Sequence, residues 1–185
     1  MIDIVDEAQA HVCAREALLD LSFGLDRHLK TSERLREGRL PVFAFTALDA
    51  NGKVVGTVRL WAVADRWGHQ SLLLGPLAVD PECRGLKVGD RLMRHALNQA
   101  ALHGHGSVLL VGDLRYYERF GFAAGLLEDV ALPGPVDYRR FLGLEIAPGH
   151  LAGLEGTLYA AGVLDPIALF SDADAGDGLV LSKLA

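Results

Sequence analysis

The sequence predicts one α/β (α+β) domain, and three local features carry that expectation. Two β-rich runs, residues 42–48 and 54–61, flank an Asn51-Gly52 pair, a dipeptide that closes tight antiparallel hairpins. A strand, an amphipathic helix and a short apolar strand then follow one another within about 40 residues, the pattern of a right-handed βαβ unit. Finally, Gly75-Pro76 interrupts the first strand of that unit. Glycine packs nothing and proline cannot donate to a ladder, so the pair marks a bulge where the strand leaves its neighbour.

Taken in order, residues 2–5 read as a short first strand and residues 7–23 as a loosely amphipathic helix with Val12, Leu18, Leu19 and Phe23 apolar. Residues 26–37 are densely charged and stop before Gly38 and Pro41, which reads as a helix that either lies on the surface or edges a pocket. After the hairpin, residues 71–79 form the bulged strand. Residues 88–104 form a helix whose inner face carries Val88, Leu92, Ala96 and Ala100, with Arg91, Arg94, His95 and Asn98 opposite. Residues 108–111 are apolar throughout, as in a strand buried on both faces. A short helical piece over 114–120, a late strand over 141–146, an edge strand over 156–159 and a loop over 171–178 complete the reading. Residues 1–150 are expected to form the domain, with 151–185 a C-terminal extension packed on it.

Half of the 185 residues are apolar and 23% are charged, a globular balance. The net charge of −6 disfavours nucleic acid and anionic membrane as partners. Cys13 and Cys83 stand alone, without a disulfide framework or metal-ligand neighbours. No basic leader and no run of roughly 18 apolar residues is present, so a cytoplasmic location is expected.

The chemistry concentrates between residues 72 and 90. If the bulged strand splays from the 108–111 strand, Leu77, Ala78 and Val79 keep backbone groups free. A pantetheine arm, with its two amides, could pair with them as an added strand. Arg84, Gly85, Leu86, Lys87, Val88, Gly89 and Asp90 then turn into the helix, whose first-turn N–H groups and positive dipole end favour an anion. Gly85 and Gly89 let backbone approach phosphate oxygens. An ordinary βα turn is the plain alternative. A nucleotide P-loop and a dinucleotide G-x-G-x-x-G are both missing from this turn.

This stretch resembles the acetyl-CoA motif of the GNAT superfamily: Arg or Gln, two residues, Gly, one residue, then Gly or Ala, after a strand ending in Val-x-Pro. Arg84, Val88 and Gly89 match, as does Val79-Asp80-Pro81, while Lys87 replaces the first motif glycine. That lysine either lends charge to the pyrophosphate or crowds it. Further on, Tyr117 lies four residues before Gly121-Phe122, where the family carries the tyrosine that protonates the departing CoA thiolate. The phrase from Val111-Gly112-Asp113 to Phe122 is similar to the YhbS-like branch of acetyltransferases. Tyr116, Phe120 and Phe122 read as core aromatics.

The resemblance implies a single GNAT-type domain, with a mixed, mostly antiparallel central sheet, a bulged strand splayed from its parallel neighbour, and helices on both faces. It implies transfer of an acetyl group from acetyl-CoA directly to a primary amine of unknown identity, with no metal. A backbone N–H of Leu77 or Val79 would face the oxyanion, and Asp113 or Glu33, or a water relay, would take the amine proton. Lys30 and Arg34, a helical turn apart, either line the acceptor pocket or form a solvated face. Two other readings stay open: an acyl-CoA-binding module with little catalysis, and a transferase of a longer acyl chain. A homodimer through an edge strand or the C-terminal tail is compatible with the sequence. His103 and His105 read as an exposed loop, and Cys83 lacks an activating histidine.

Overall fold

A computed structural model describes residues 1–166. Strands β1 (Asp3–Asp6), β2 (Phe43–Leu48), β3 (Val54–Ala64), β4 (Gln70–Val79) and β5 (Ser107–Val111) lie side by side in that order. Two short strands, β6 (Val130–Ala131) and β8 (Gly156–Thr157), pair with each other in a separate parallel ribbon. β7 (Phe141–Glu145) closes the main sheet beyond β5, and β9 (Tyr159–Ala160) extends it at the end of β3. Within the main sheet the only parallel pair is β4 with β5 among the described residues. The mixed, mostly antiparallel sheet is therefore as the resemblance implies.

Alternation along the central strands decides which helix covers which face. Leu72, Leu74, Val108 and Leu110 point to α2 (Val88–Leu102), meeting Val88, Leu92, Met93, Ala96 and Ala100 in one core cluster. Leu73, Leu109 and Val63 point the other way, into a second cluster with Leu35, Phe141, Leu151, Leu154 and Leu158. On that same side α1 (Val12–Phe23) lays Leu18 and Leu19 against Val54 and Ala78. Both faces of β4 and β5 are thus buried, which accounts for their unbroken apolar sequences.

Two expectations need correction. Residues 26–37 do not form one helix but two 3₁₀ stretches, Leu25–Leu29 and Thr31–Leu35, separated by Lys30 in an extended conformation. Their side chains are committed to tertiary partners rather than to a helical face. Arg27 pairs with Glu16 and Asp20, Thr31 donates to the Pro135 carbonyl, and Arg34 donates to the Pro133 carbonyl. The edge strand expected over 156–159 is instead β8 and β9, which pair with different partners on either side of the buried Leu158. The loop expected over 171–178 lies outside the described residues.

An ionic chain braces α1 against the sheet. Arg59 of β3 and Arg15 of α1 share Glu7, and Arg15 and Arg27 share Glu16. Burial pushes the Glu7 carboxyl up, with Arg15 acting against it. Asp65, buried in the β3–β4 turn, shows the opposite outcome. Burial alone would raise its pKa, but His69 and the backbone N–H groups of Glu155, His69 and Trp67 hold it down to about 2.

Candidate active site

The bulge in β4 opens the sheet. Val58 of β3 faces Leu77 and Leu60 faces Leu74, so Gly75 and Pro76 together oppose a single residue. The Gly75-Pro76 peptide is cis, Gly75 has φ 128°, and the Trp61 indole N–H donates to the Gly75 carbonyl at 2.7 Å. On the other side β4 pairs with β5 only through Leu72 and Leu73. Past Leu74 the two parallel strands part. Because Asp80 N–H donates to Val55 of β3, strand alternation turns Ala78 towards β3 as well. The backbone groups of Leu77 and Val79 consequently face the gap.

A chamber of about 310 Å³ occupies the gap at the bulge. Leu74 to Leu77 form one wall, Leu110 to Asp113 the opposite wall, and residues of the two 3₁₀ stretches the third. Tyr117, on the short helix α3 (Leu114–Tyr117), lines it. Asp113 caps that helix by accepting from the Arg115 N–H at 3.1 Å. Burial, reinforced by Tyr116, pushes the Tyr117 hydroxyl up to about 12. Tyr117 owes its position to Gly112, since a Cβ there would lie 2.2 Å from a carbon of its ring.

A second cavity of about 540 Å³ sits at the N-terminus of α2. The first helical bond runs from the Arg91 N–H to the Lys87 carbonyl, so those of Val88, Gly89 and Asp90 have no partner within the helix. Arg84, Lys87, Arg94 and Arg119 bring positive charge to this cavity, against Asp90 alone, which pairs with Arg94 at 2.9 Å. Lys87 adopts the left-handed conformation (φ 57°), the backbone shape for which glycine is the natural residue. The cavity's open N–H groups and surplus of cations fit a pyrophosphate.

Of the residues singled out in sequence, Val79, Arg84, Gly85, Lys87, Val88, Gly89 and Asp90 line the helix-end cavity, and Leu77 and Tyr117 line the chamber. Ala78 turns its side chain to the α1 face, and Leu86 is exposed and lines neither space. Glu33 and Asp113, far apart in sequence, both reach the chamber, as does Lys30, whereas Arg34 does not. His103 and His105 stack edge-on against Phe43. Cys83 lines the helix-end cavity as a free thiol.

Tyr116, expected in the core, lines both spaces and stands between them. The Arg119 guanidinium lies 4.2 Å from its ring centroid. Arg36, Arg140 and Gly112 also belong to the chamber. The Val-Gly-Asp run ahead of the tyrosines is the available clue to Gly112. Nothing local marks Arg36 or Arg140, which reach the site through tertiary packing.

A family model described as an acetyltransferase (GNAT) domain matches residues 42–124, the segment that supplies the whole helix-end cavity and the β4 and β5 walls of the chamber. The uncharacterized N-acetyltransferase YhbS of Escherichia coli K12 is 32% identical over 143 residues, covering 76% of this chain and 85% of that protein. The crystal structure of YhbS from Escherichia coli in complex with CoA is similar, with a TM-score of 0.75 at 28% identity, over 86% of this chain and 89% of that one. A GNAT family acetyltransferase from Brucella melitensis in complex with acetyl-CoA shares the fold, with a TM-score of 0.65 at 24% identity, over 87% and 97% of the two chains. With a parted β4–β5 pair, an open helix end beyond it, and that extent of likeness to YhbS, the chain belongs to the GNAT superfamily of N-acetyltransferases.

Proposed function

We propose that the protein transfers an acetyl group from acetyl-CoA directly to a primary amine held in the chamber. The observation that carries this reading is the alignment of three parts along one gap: the helix end with its cations, the unpaired edge of β4, and Tyr117. The diphosphate would rest on the N–H groups of Val88 to Asp90, with Arg84 and Lys87 beside it. The pantetheine amides would pair with Leu77 and Val79 in the manner of an added strand. The thioester would then arrive at the bulge, beside Tyr117.

In the reaction the neutral amine nitrogen attacks the thioester carbonyl carbon, forming the C–N bond. The Leu77 or Val79 N–H stabilises the charge that builds on the carbonyl oxygen. The C–S bond breaks and the Tyr117 hydroxyl donates its proton to sulfur, recovering one from solvent afterwards. A hydroxyl held at about 12 is protonated at neutral pH, as a general acid must be. The proton lost by nitrogen passes to a carboxylate in the chamber, for which Glu33 and Asp113 are the candidates.

Calorimetry with acetyl-CoA, followed by thiol release across a panel of amines, tests this. Micromolar binding and amine-dependent CoA release are expected. Binding without turnover on any amine would favour an acyl-CoA-binding module, and no binding would remove the donor assignment.

A further inference from the structure

The transfer chemistry leaves most of the chamber's charge unused. The chain as a whole carries −6, yet Arg27, Lys30, Arg36 and Arg140 line the chamber against only Glu33 and Asp113. Arg27 is neutralised from outside by Glu16 and Asp20. Asp113 is engaged in capping α3.

The remaining three cations outnumber their anions: Glu33 acts on both Arg36 and Lys30, and Asp137, which acts on Arg140, is already paired with Arg139. Arg36 meets Glu33 in one long contact of 3.4 Å, its side chain is only 11% exposed, and its Nε is buried without a hydrogen-bond partner. The Lys30 ammonium sits 4.6 Å from the centroid of the Phe23 ring and, among the described residues, makes no ion pair. Arg140 likewise makes none there; its carbonyl accepts from the Gly112 N–H at 2.8 Å, which ties it to the end of β5. Arg36 and Arg140 both push the Lys30 ammonium down, after burial itself, so the three charges feel one another. Like charges drawn together and partly desolvated are satisfied by an anion, and an arginine fork suits a planar carboxylate.

We propose that the chamber takes a carboxylate, held by Lys30, Arg36 and Arg140, carried by the acceptor as in an amino acid. The proposal rests on the transferase reading. A chamber of about 310 Å³ is of a size for such a molecule. The same chemistry could instead arrive on the donor, as the free acid end of a dicarboxylic acyl group.

The test has two arms on the full chain. In the first, CoA-saturated protein is titrated calorimetrically with N-acetyl-α-amino acids and with their neutral amides. Acids should bind at least tenfold more tightly than amides. In the second, succinyl-CoA is compared with acetyl-CoA; a tenfold preference for succinyl-CoA without an acid preference in the first arm would overturn the acceptor assignment and move the carboxylate to the donor. Lys30 and Arg140 are exposed, so Lys30→Met with Arg140→Met should fold and abolish whichever preference is seen. Arg36→Lys should retain part of it and Arg36→Met should not. Equal affinities in both arms, or a preference unchanged by these variants, would overturn the proposal. If the wild type binds no CoA, the transferase reading fails separately, and acid against amide is then read on the free protein.

Discussion

The Tyr116 hydroxyl lies 2.8 Å from the point where a Cβ on Gly89 would stand. One residue opens α2 and the other belongs to α3, so the absence of a single side-chain carbon keeps the passage between the two cavities as it is. A Cβ on residue 89 would force the Tyr116 hydroxyl to move. In this chain the contact favours glycine over alanine at position 89.

Gly89→Glu should therefore abolish CoA binding twice over, through negative charge at the helix end and through displacement of Tyr116. Calorimetry should detect no heat above background, while circular dichroism shows a folded protein. Gly89→Ala with Tyr116→Phe separates the two causes, and should recover part of the affinity that Gly89→Ala alone loses.

Tyr117→Phe should lower kcat about a hundredfold with CoA affinity within twofold of wild type. The pH dependence follows from the raised pKa. Its hydroxyl is protonated below about 12, so kcat/KM should rise with pH as the amine and the accepting carboxylate lose their protons, with no fall from Tyr117 up to pH 10. Stability shows the same shift. The contribution is complete below the unfolded value of 10.0 and disappears as pH climbs to about 12. Unchanged kcat in the phenylalanine variant would remove Tyr117 from the mechanism.

Gly112→Ala should imitate that loss without touching the tyrosine. A methyl group 2.2 Å from the Tyr117 ring forces the ring to move, and an acid misplaced by about 1 Å can cost about a hundredfold. Activity should fall at least tenfold while CoA still binds. If kcat is retained, Tyr117 tolerates displacement and the geometric account is wrong.

Lys87→Gly should act in opposite directions on stability and binding. Releasing a left-handed lysine should add about 1 kcal/mol, raising Tm by roughly 2–4 °C. Loss of one cation from the helix-end cavity should weaken CoA roughly fivefold, more at low salt than at high. Tighter CoA binding in the glycine variant would mean that the lysine obstructs the phosphates.

Asp65→Asn tests the far end of β3. The depressed pKa means that Asp65 supports the fold fully above its ordinary value of 3.8 and ceases to as pH falls through about 2. The variant should be less stable at neutral pH and lose less on acidification across that window. Acid titrations followed by circular dichroism would reveal an identical acid limb if Asp65 played no such part.

The parts of the site built from neighbours along the chain are legible in the amino-acid sequence. Gly75-Pro76 inside an apolar run announces the bulge, and the turn from Arg84 to Asp90 announces the helix end. Tyr116 escapes such a reading because its neighbour Tyr117 and the nearby Phe120 share its chemistry, and no periodicity separates a lining ring from a packed one. The charged run over 26–37 has a helical appearance in sequence. Its conformation is decided by partners such as Pro133 and Pro135, brought near only by the fold. Arg36 and Arg140 enter the chamber for the same reason, across more than a hundred residues of chain.

The early end of the β4–β5 ladder has a consequence beyond catalysis. A sheet whose pairing stops at Leu73 is completed by whatever supplies hydrogen bonds to Leu77 and Val79. If CoA does so, part of the protein's folded architecture is held in the cofactor pool rather than in the gene. At a hundred times its dissociation constant the ligand would add about 2.7 kcal/mol to stability. The protein's lifetime in the cell would then rise and fall with the supply of its donor, independently of whether any acceptor is present.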